Sequence, residues 1–137
     1  PSEIKLFFAK LVQKIVPSLT LSNGLDISGI SRNSQVIENY INDPLIHDRV
    51  SVQLTLDIIS SGIYALENVK DITIPVLIFH GKNDRLTSYN SSEELVRNSG
   101  SNIKFIGFKQ AYHEIHNEPE KEELLRNIFD WINLINE

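Results

Sequence analysis

Ile74-Pro75-Val76-Leu77-Ile78-Phe79-His80-Gly81-Lys82-Asn83-Asp84 is the stretch that decides the fold. Its β-forming residues run on without polar alternation and close on a glycine, the pattern of a strand buried on both faces. Downstream, Ser91 to Glu94 fits an S-x-x-E capping box, which predicts a helix of about two turns ending near Gly100. Asn102-Ile103-Lys104-Phe105-Ile106-Gly107-Phe108 reads as a second strand, followed by a loop that carries His113 and His116. A last helix, entered through Pro119, shows the stripe Leu124, Leu125, Ile128, Phe129, Ile132 and Ile135. Strand, helix, strand, helix is one βαβ crossover, for which parallel pairing and a right-handed connection are the default. The fold class is therefore α/β.

Upstream the period changes to that of helices. Ile4, Phe7, Phe8, Leu11, Val12 and Ile15 share a helical face with Lys5, Lys10, Gln13 and Lys14 opposite, so the spacing predicts an amphipathic helix that stops before Pro17 and packs on a core. Residues 17–33 hold Pro17, Gly24, Gly29 and many Ser and Asn, and read as a long ordered loop. A short helix from Ser34 places Val36, Ile37, Tyr40 and Ile41 on one face and stops at Pro44. Asp48 or Ser51 can cap a third helix, with Leu54, Ile58, Ile59 and Ile63 expected to face inward. Two strands make a poor parallel sheet, because such sheets have several strands and both faces covered. The expectation is the carboxyl-terminal part of a larger α/β protein, or a piece whose missing strands come from a partner. The absence of methionine is compatible with an excised initiator before Pro1 and equally with a chain that begins inside a longer gene product.

Composition narrows the chemistry. The 137 residues carry 13 Lys+Arg and 18 Asp+Glu, a net charge of −5, which gives no electrostatic reason to bind nucleic acid. With no cysteine, disulfides, thiolate nucleophiles and Cys-ligated zinc are excluded. No stretch approaches the ~18 apolar residues of a membrane span, and no targeting signal is evident, so the expected location is cytoplasmic.

Ligands of open α/β sheets bind beyond the carboxyl ends of the strands. The segments there are Gly81-Lys82-Asn83-Asp84-Arg85 and Gln110-Ala111-Tyr112-His113-Glu114-Ile115-His116. Adjacent strands lie ~4.8 Å apart, so Asp84 leaving one can reach His113 leaving the next. A carboxylate that accepts from one imidazole nitrogen holds the other ready to take a proton, which is the orienter and base of an acyl-transfer triad. Taken alone, the two residues also fit a loop-capping carboxylate and a surface histidine. The i, i+3 spacing of His113 and His116 is compatible with metal ligation, but no metal site is expected in this loop context.

These motifs together resemble the end of an α/β-hydrolase of the monoglyceride lipase and lysophospholipase type, a serine aminopeptidase S33-like group. The carrying residues are His80-Gly81-Lys82-Asn83-Asp84 after a strand, then Ala111-Tyr112-His113 with Glu118 and Pro119 before a terminal amphipathic helix. Pro17 to Asp26, Ser31-Arg32-Asn33 and Asp43-Pro44-Leu45-Ile46-His47-Asp48-Arg49 are similar to that family's cap insertion and its return to the core. The resemblance implies that Asp84 is the triad acid and His113 the triad base, that His116 is a loop hydrogen-bonder without a catalytic role, and that no cofactor is needed. It also implies residues 1–50 as a helical cap or lid and 51–137 as the carboxyl-terminal part of the hydrolase core.

One feature of the family is missing. The six glycines enclose no serine at the G-x-S-x-G spacing of a nucleophile elbow, and His80-Gly81 leads into the Asp loop rather than into an oxyanion hole. The expectation is a parent serine carboxylic ester hydrolase acting on a monoacylglycerol or lysophospholipid-like ester, with these residues inactive alone. The expected partners are the lipid-ester substrate, the missing amino-terminal strands or another copy of the chain, and a transient membrane-surface contact through the cap. The alternative is a catalytically dead, hydrolase-derived binding or assembly module.

Overall fold

The computed structural model describes residues 3–136. Along the chain run α1 (Glu3–Ile15), β1 (Thr20–Ser22), α2 (Ser34–Asn42), β2 (Arg49–Ser51), α3 (Val52–Asn68), β3 (Val76–Gly81), α4 (Tyr89–Asn98), β4 (Ile103–Phe108) and α5 (Lys121–Ile135). Single 3-10 turns lie at Ile27–Gly29, Val69–Asp71 and Ile115–Asn117. They gather into two compact units that interleave in sequence. One takes the chain up to Leu25 plus His47–Glu67, and the other takes Asp26–Ile46 plus the chain from Asn68 onward.

The first unit is built from α1, α3 and a small two-stranded antiparallel sheet in which Leu21 faces Val50. That sheet falls partly within the stretch read as loop. Its strands are three residues long and show no alternating burial, so no period-2 signal marks them. Leu19 and Pro17 carbonyls accept from the Val52 and Gln53 amides, which fastens the chain entering β1 to the start of α3. The Ser51 hydroxyl accepts from the Leu54 amide, so Ser51 rather than Asp48 caps α3. Here the expected inward faces are corrected. α3 buries Val52 and Leu56, one helical turn apart, while Leu54, Ile58 and Ile63 are exposed. In α1 the stripe residues Ile4, Phe7, Phe8, Leu11 and Ile15 are exposed as well, so this face does not pack on a core in the described chain.

The second unit holds the βαβ crossover. β3 and β4 pair in parallel with Val76 opposite Ile103 and Gly81 opposite Phe108. Asn102 fixes the entry, its amide group donating to the carbonyls of Ile72 (2.8 Å) and Ile74 (2.7 Å). Each face of the pair meets a helix. On one, Tyr89 of α4 lies against His80 and Phe105, with ring centroids 5.6 and 5.5 Å away. A Cβ on Gly107 would come within 2.2 Å of the Tyr89 hydroxyl, so only glycine admits the ring. On the other face Phe79, Ile106 and Phe108 pack with Ala111, Ile115 and α5 residues Leu124 and Ile128. β3 itself is half-buried rather than fully buried, since two strands leave part of each face without apolar cover.

One helix start differs from the expected one and one agrees with it. α4 begins at Tyr89, two residues before the expected Ser91, because the Ser88 hydroxyl caps it by accepting from the Ser91 amide. α2 starts at Ser34 as its pattern predicts, capped by the Asn33 side chain, which accepts from the Gln35 amide, and ends at Asn42 ahead of Pro44.

Candidate active site

The parallel register delivers two loops to one end of the sheet. Gly81 and Phe108 are paired, so the turn carrying Asp84 and the loop carrying His113 leave from neighbouring positions. The Lys82 amide donates to Phe108 O (2.8 Å) and the Asn83 amide to Ala111 O (3.1 Å), which laces the loops together. A Cβ on Gly81 would stand 2.2 Å from Tyr112 O and 2.3 Å from Ala111 O. The His113 loop can approach this closely only over a glycine.

Asp84 Oδ2 and His113 Nδ1 are 2.9 Å apart, a hydrogen bond donated by the imidazole. The carboxylate side chain is 2% exposed and the imidazole 40%, so one partner is enclosed and the other faces solvent. Asp84 is held by its own turn as well. Oδ1 accepts from the amides of Leu86 (2.7 Å) and Thr87 (3.0 Å), and Oδ2 accepts from the Thr87 hydroxyl (2.6 Å). Burial alone would raise this carboxyl, but the hydrogen bonds from Thr87, His113 and the Leu86 amide outweigh it and hold the group at about 2, below the ordinary 3.8. Asp84 is therefore an anion at neutral pH. Among the described residues no hydrogen bond engages His113 Nε2, the nitrogen that a base would use.

The backbone of the His113 loop is clamped by residues far away in sequence. The His113 and Glu114 amides donate to Gly29 O (3.3 Å) and Ile30 O (2.9 Å), and the Ser31 hydroxyl donates to Asn117 O (3.1 Å). Next to this, the Arg32 amide donates to Glu118 Oε1 (2.6 Å), while the Arg32 guanidinium pairs with Glu118 and Glu120 and reaches Gln110 Oε1 (3.2 Å). Burial works to raise the Glu118 carboxyl, yet the Arg32 contacts bring it below its ordinary value. A buried carboxylate without such partners would be costly.

Sequence reasoning brought Asp84 and His113 to the same place, and their bond is present. His116 is exposed and stands outside the Asp84 cluster. His80, Thr87, Ser92 and the Arg32–Glu118 pair were not singled out for this role. Arg32 and Glu118 are 86 positions apart, so no local pattern joins them. The D-x-x-T spacing of Asp84 and Thr87 is also too common to mark Thr87. Among the described residues no group of three or more His, Asp or Glu is placed to hold a metal, and no helix is long and apolar enough to cross a membrane.

Residues 1–120 match the family described as Serine aminopeptidase, S33. A monoglyceride lipase of Rattus norvegicus is 30% identical over 135 residues, covering 96% of this chain and 44% of that protein. A monoacylglycerol lipase of Mycolicibacterium smegmatis is 29% identical over 133 residues, covering 96% and 47% respectively. The crystal structure of Paleococcus ferrophilus monoacylglycerol lipase superposes with a TM-score of 0.89 at 35% identity, over 96% of this chain and 52% of that one. The chain thus spans about half the length of each of these three proteins. Carrying the strands, loops and acid–imidazole pair described above, it belongs to the serine aminopeptidase S33 family and is an α/β-hydrolase chain of the monoglyceride lipase type.

Proposed function

We propose that the protein carrying this chain is a serine carboxylic ester hydrolase that acts on monoacylglycerol or lysophospholipid-like esters, with Asp84 and His113 as the acid and base of its triad. The observation that carries this reading is the 2.9 Å bond from His113 Nδ1 to a buried, ionised Asp84 while Nε2 stays open. The names of the similar lipases from rat and Mycolicibacterium smegmatis support the substrate class.

In this reading a serine outside these residues attacks the ester carbonyl. His113 Nε2 takes the serine proton as the bond to carbon forms, then gives it to the departing alcohol. Water next attacks the acyl-serine, His113 takes its proton, and the free acid leaves as the serine regains its hydrogen. Asp84 keeps the Nδ1–H tautomer and stabilises each imidazolium. Without a G-x-S-x-G segment in residues 1–137, this chain on its own hydrolyses nothing. Residues 1–50 are assigned to the cap and 51–137 to the hydrolase core. The exposed phenylalanines of α1 suit a lid that meets acyl chains or a lipid surface.

A fluorophosphonate that labels activated serines tests the reading. Full-length protein gains one adduct, and its His113→Ala variant loses that reactivity. Undiminished labelling of the His113→Ala variant would show that another group activates the nucleophile. No labelling of the unmodified full-length protein would favour the binding-module alternative.

A further inference from the structure

Asp84 has another imidazole beside it. His80 Nε2 lies 3.1 Å from Asp84 Oδ2 and 3.3 Å from the Thr87 hydroxyl oxygen, and His80 Nδ1 lies 2.7 Å from the Ser92 hydroxyl. A carboxylate only accepts, so the nitrogen facing it carries the hydrogen, and in the neutral ring Nδ1 then accepts from the Ser92 hydroxyl. Ser92, His80 and Asp84 thereby form a Ser–His–Asp chain, with the two ring nitrogens exchanged relative to the Asp84–His113 pair. Ser92 is an interior residue of helix α4, however, and its amide is directed at the Ser88 carbonyl of the preceding turn.

Resting on the reading above, we propose that His80, with its tautomer set by Ser92, is a positioning residue that anchors the catalytic acid to the sheet. The donors to Asp84 divide by origin. The Leu86 amide, the Thr87 amide and the Thr87 hydroxyl belong to the acid's own turn and move with it. His113 sits on the opposite loop and is the group to be oriented. The Asp84 amide donates to Gly81 O (3.1 Å) at the end of β3, but among the described residues only His80 reaches the Asp84 carboxylate from a regular element, β3, and its partner Ser92 stands on α4. The Tyr89 ring, edge-on at 5.6 Å, fixes the plane of the imidazole.

Hydrogen-bond capacity supports the same role. Five donors converge on a carboxylate that offers about four lone-pair sites, and three of them crowd Oδ2. His80 makes the longest of those three contacts, and the Thr87 oxygen stands ready to share its hydrogen. As His113 takes a proton and tightens on Oδ2, the His80 hydrogen can lean toward Thr87 without leaving an unpaired group. The anchor therefore holds the acid without competing with the imidazolium.

The test uses the full-length protein and a short-chain p-nitrophenyl ester, assayed well below the denaturation midpoint of each variant. His80→Phe keeps the ring packing and removes both nitrogens. Losing one hydrogen bond to a charged group, it is expected to lower kcat about tenfold with KM within about twofold. Ser92→Ala should lower kcat about threefold, Ser92→Thr should retain most of it, and Ser92→Ala should add no further loss in the His80→Phe background, as coupled residues do. Unchanged turnover in His80→Phe, or independent multiplication of the two losses, overturns the proposal. If His80→Phe does not fold, the Ser92 pair decides, because Ser92 touches Asp84 only through His80, and equal kcat for Ala and Thr overturns it. Asp84→Asn separates the two levels. Inactive Asp84→Asn beside an unimpaired His80→Phe refutes the anchor alone, whereas fully active Asp84→Asn refutes the assignment of the acid and the anchor with it.

Discussion

The two units of the chain are held by different means. In the first, among the described residues, only Val52 and Leu56 are buried apolar side chains, while the aromatic face of α1 is open. In the second, Phe108, Ala111, Ile115 and Leu124 form a cluster, and charged and polar bonds between residues as distant as Arg32 and Glu118 tie the loops above the sheet. Apolar burial is nondirectional and tolerates sliding, whereas hydrogen bonds fix angle and distance. The first unit has directional bonds too, in the β1–β2 pairing and at the start of α3, but the second adds the Arg32 ion pairs to its apolar cluster, and it is there that the imidazole stands 2.9 Å from the carboxylate.

The widest contrast between the units should appear in turnover. Asp84→Asn in the full-length protein is expected to lower kcat about 10⁴-fold, because the amide stabilises the wrong imidazole tautomer, while the midpoint falls but the variant stays folded at the assay temperature. Steady-state kinetics beside thermal denaturation checks both parts, and a loss of midpoint matching the loss of rate would reduce Asp84 to a structural residue.

Stability should separate the units next. Leu124→Ala empties a buried position and should cost about 2–4 kcal/mol in urea denaturation of the chain, whereas Phe8→Ala, at a residue 60% exposed, should stay within about 0.5 kcal/mol. Equal costs would mean that the exposed face of α1 is covered in solution.

Acid should loosen the second unit first. Asp84 is held at about 2 against an ordinary 3.8, so its ionised form favours the folded state. That stabilisation is complete above pH 3.8 and is lost as pH falls through about 2, and the lowered Glu118 carboxyl adds a contribution of the same sign below its ordinary 4.5. Denaturation midpoints measured against pH should therefore fall on acidification. The fall should be shallower in both Glu118→Gln and Asp84→Asn, and an unchanged slope would show that these carboxylates titrate alike folded and unfolded. The smallest effect is expected at His116, exposed and outside the Asp84 cluster, where His116→Ala should keep kcat within about twofold.

Much of the second unit is written in local pattern. The run ending at Gly81 and the Ile103–Phe108 strand carry enough β-formers to be read directly, and their order implies the parallel pairing that brings Asp84 to His113. The α2 boundaries follow from Asn33 and Pro44. What was not legible depends on partners distant in sequence or on competition between equals. Ser88 and Ser91 are both plausible caps for α4, and the choice falls to the one whose hydroxyl meets the Ser91 amide. The buried face of α3 could not be chosen from periodicity because isoleucines and leucines occur nearly all round that helix. His80 reads as a strand-end residue until its two nitrogens are seen to bond in opposite directions.

The pairing of Gly81 with Phe108 also governs how this chain can change in length. Asp84 stands three positions beyond one end of that pair and His113 five beyond the other, so the ladder serves as the common origin of a ruler. One residue inserted in either interval displaces its side chain by up to ~3.3 Å, more than the 2.9 Å span of the bond it must make. By contrast, the exposed turn at Gly100 and Ser101 lies at the other end of β4, where extra residues leave that ruler intact. Viable insertions and deletions should therefore collect at the amino end of the strands and be purged from the carboxyl end.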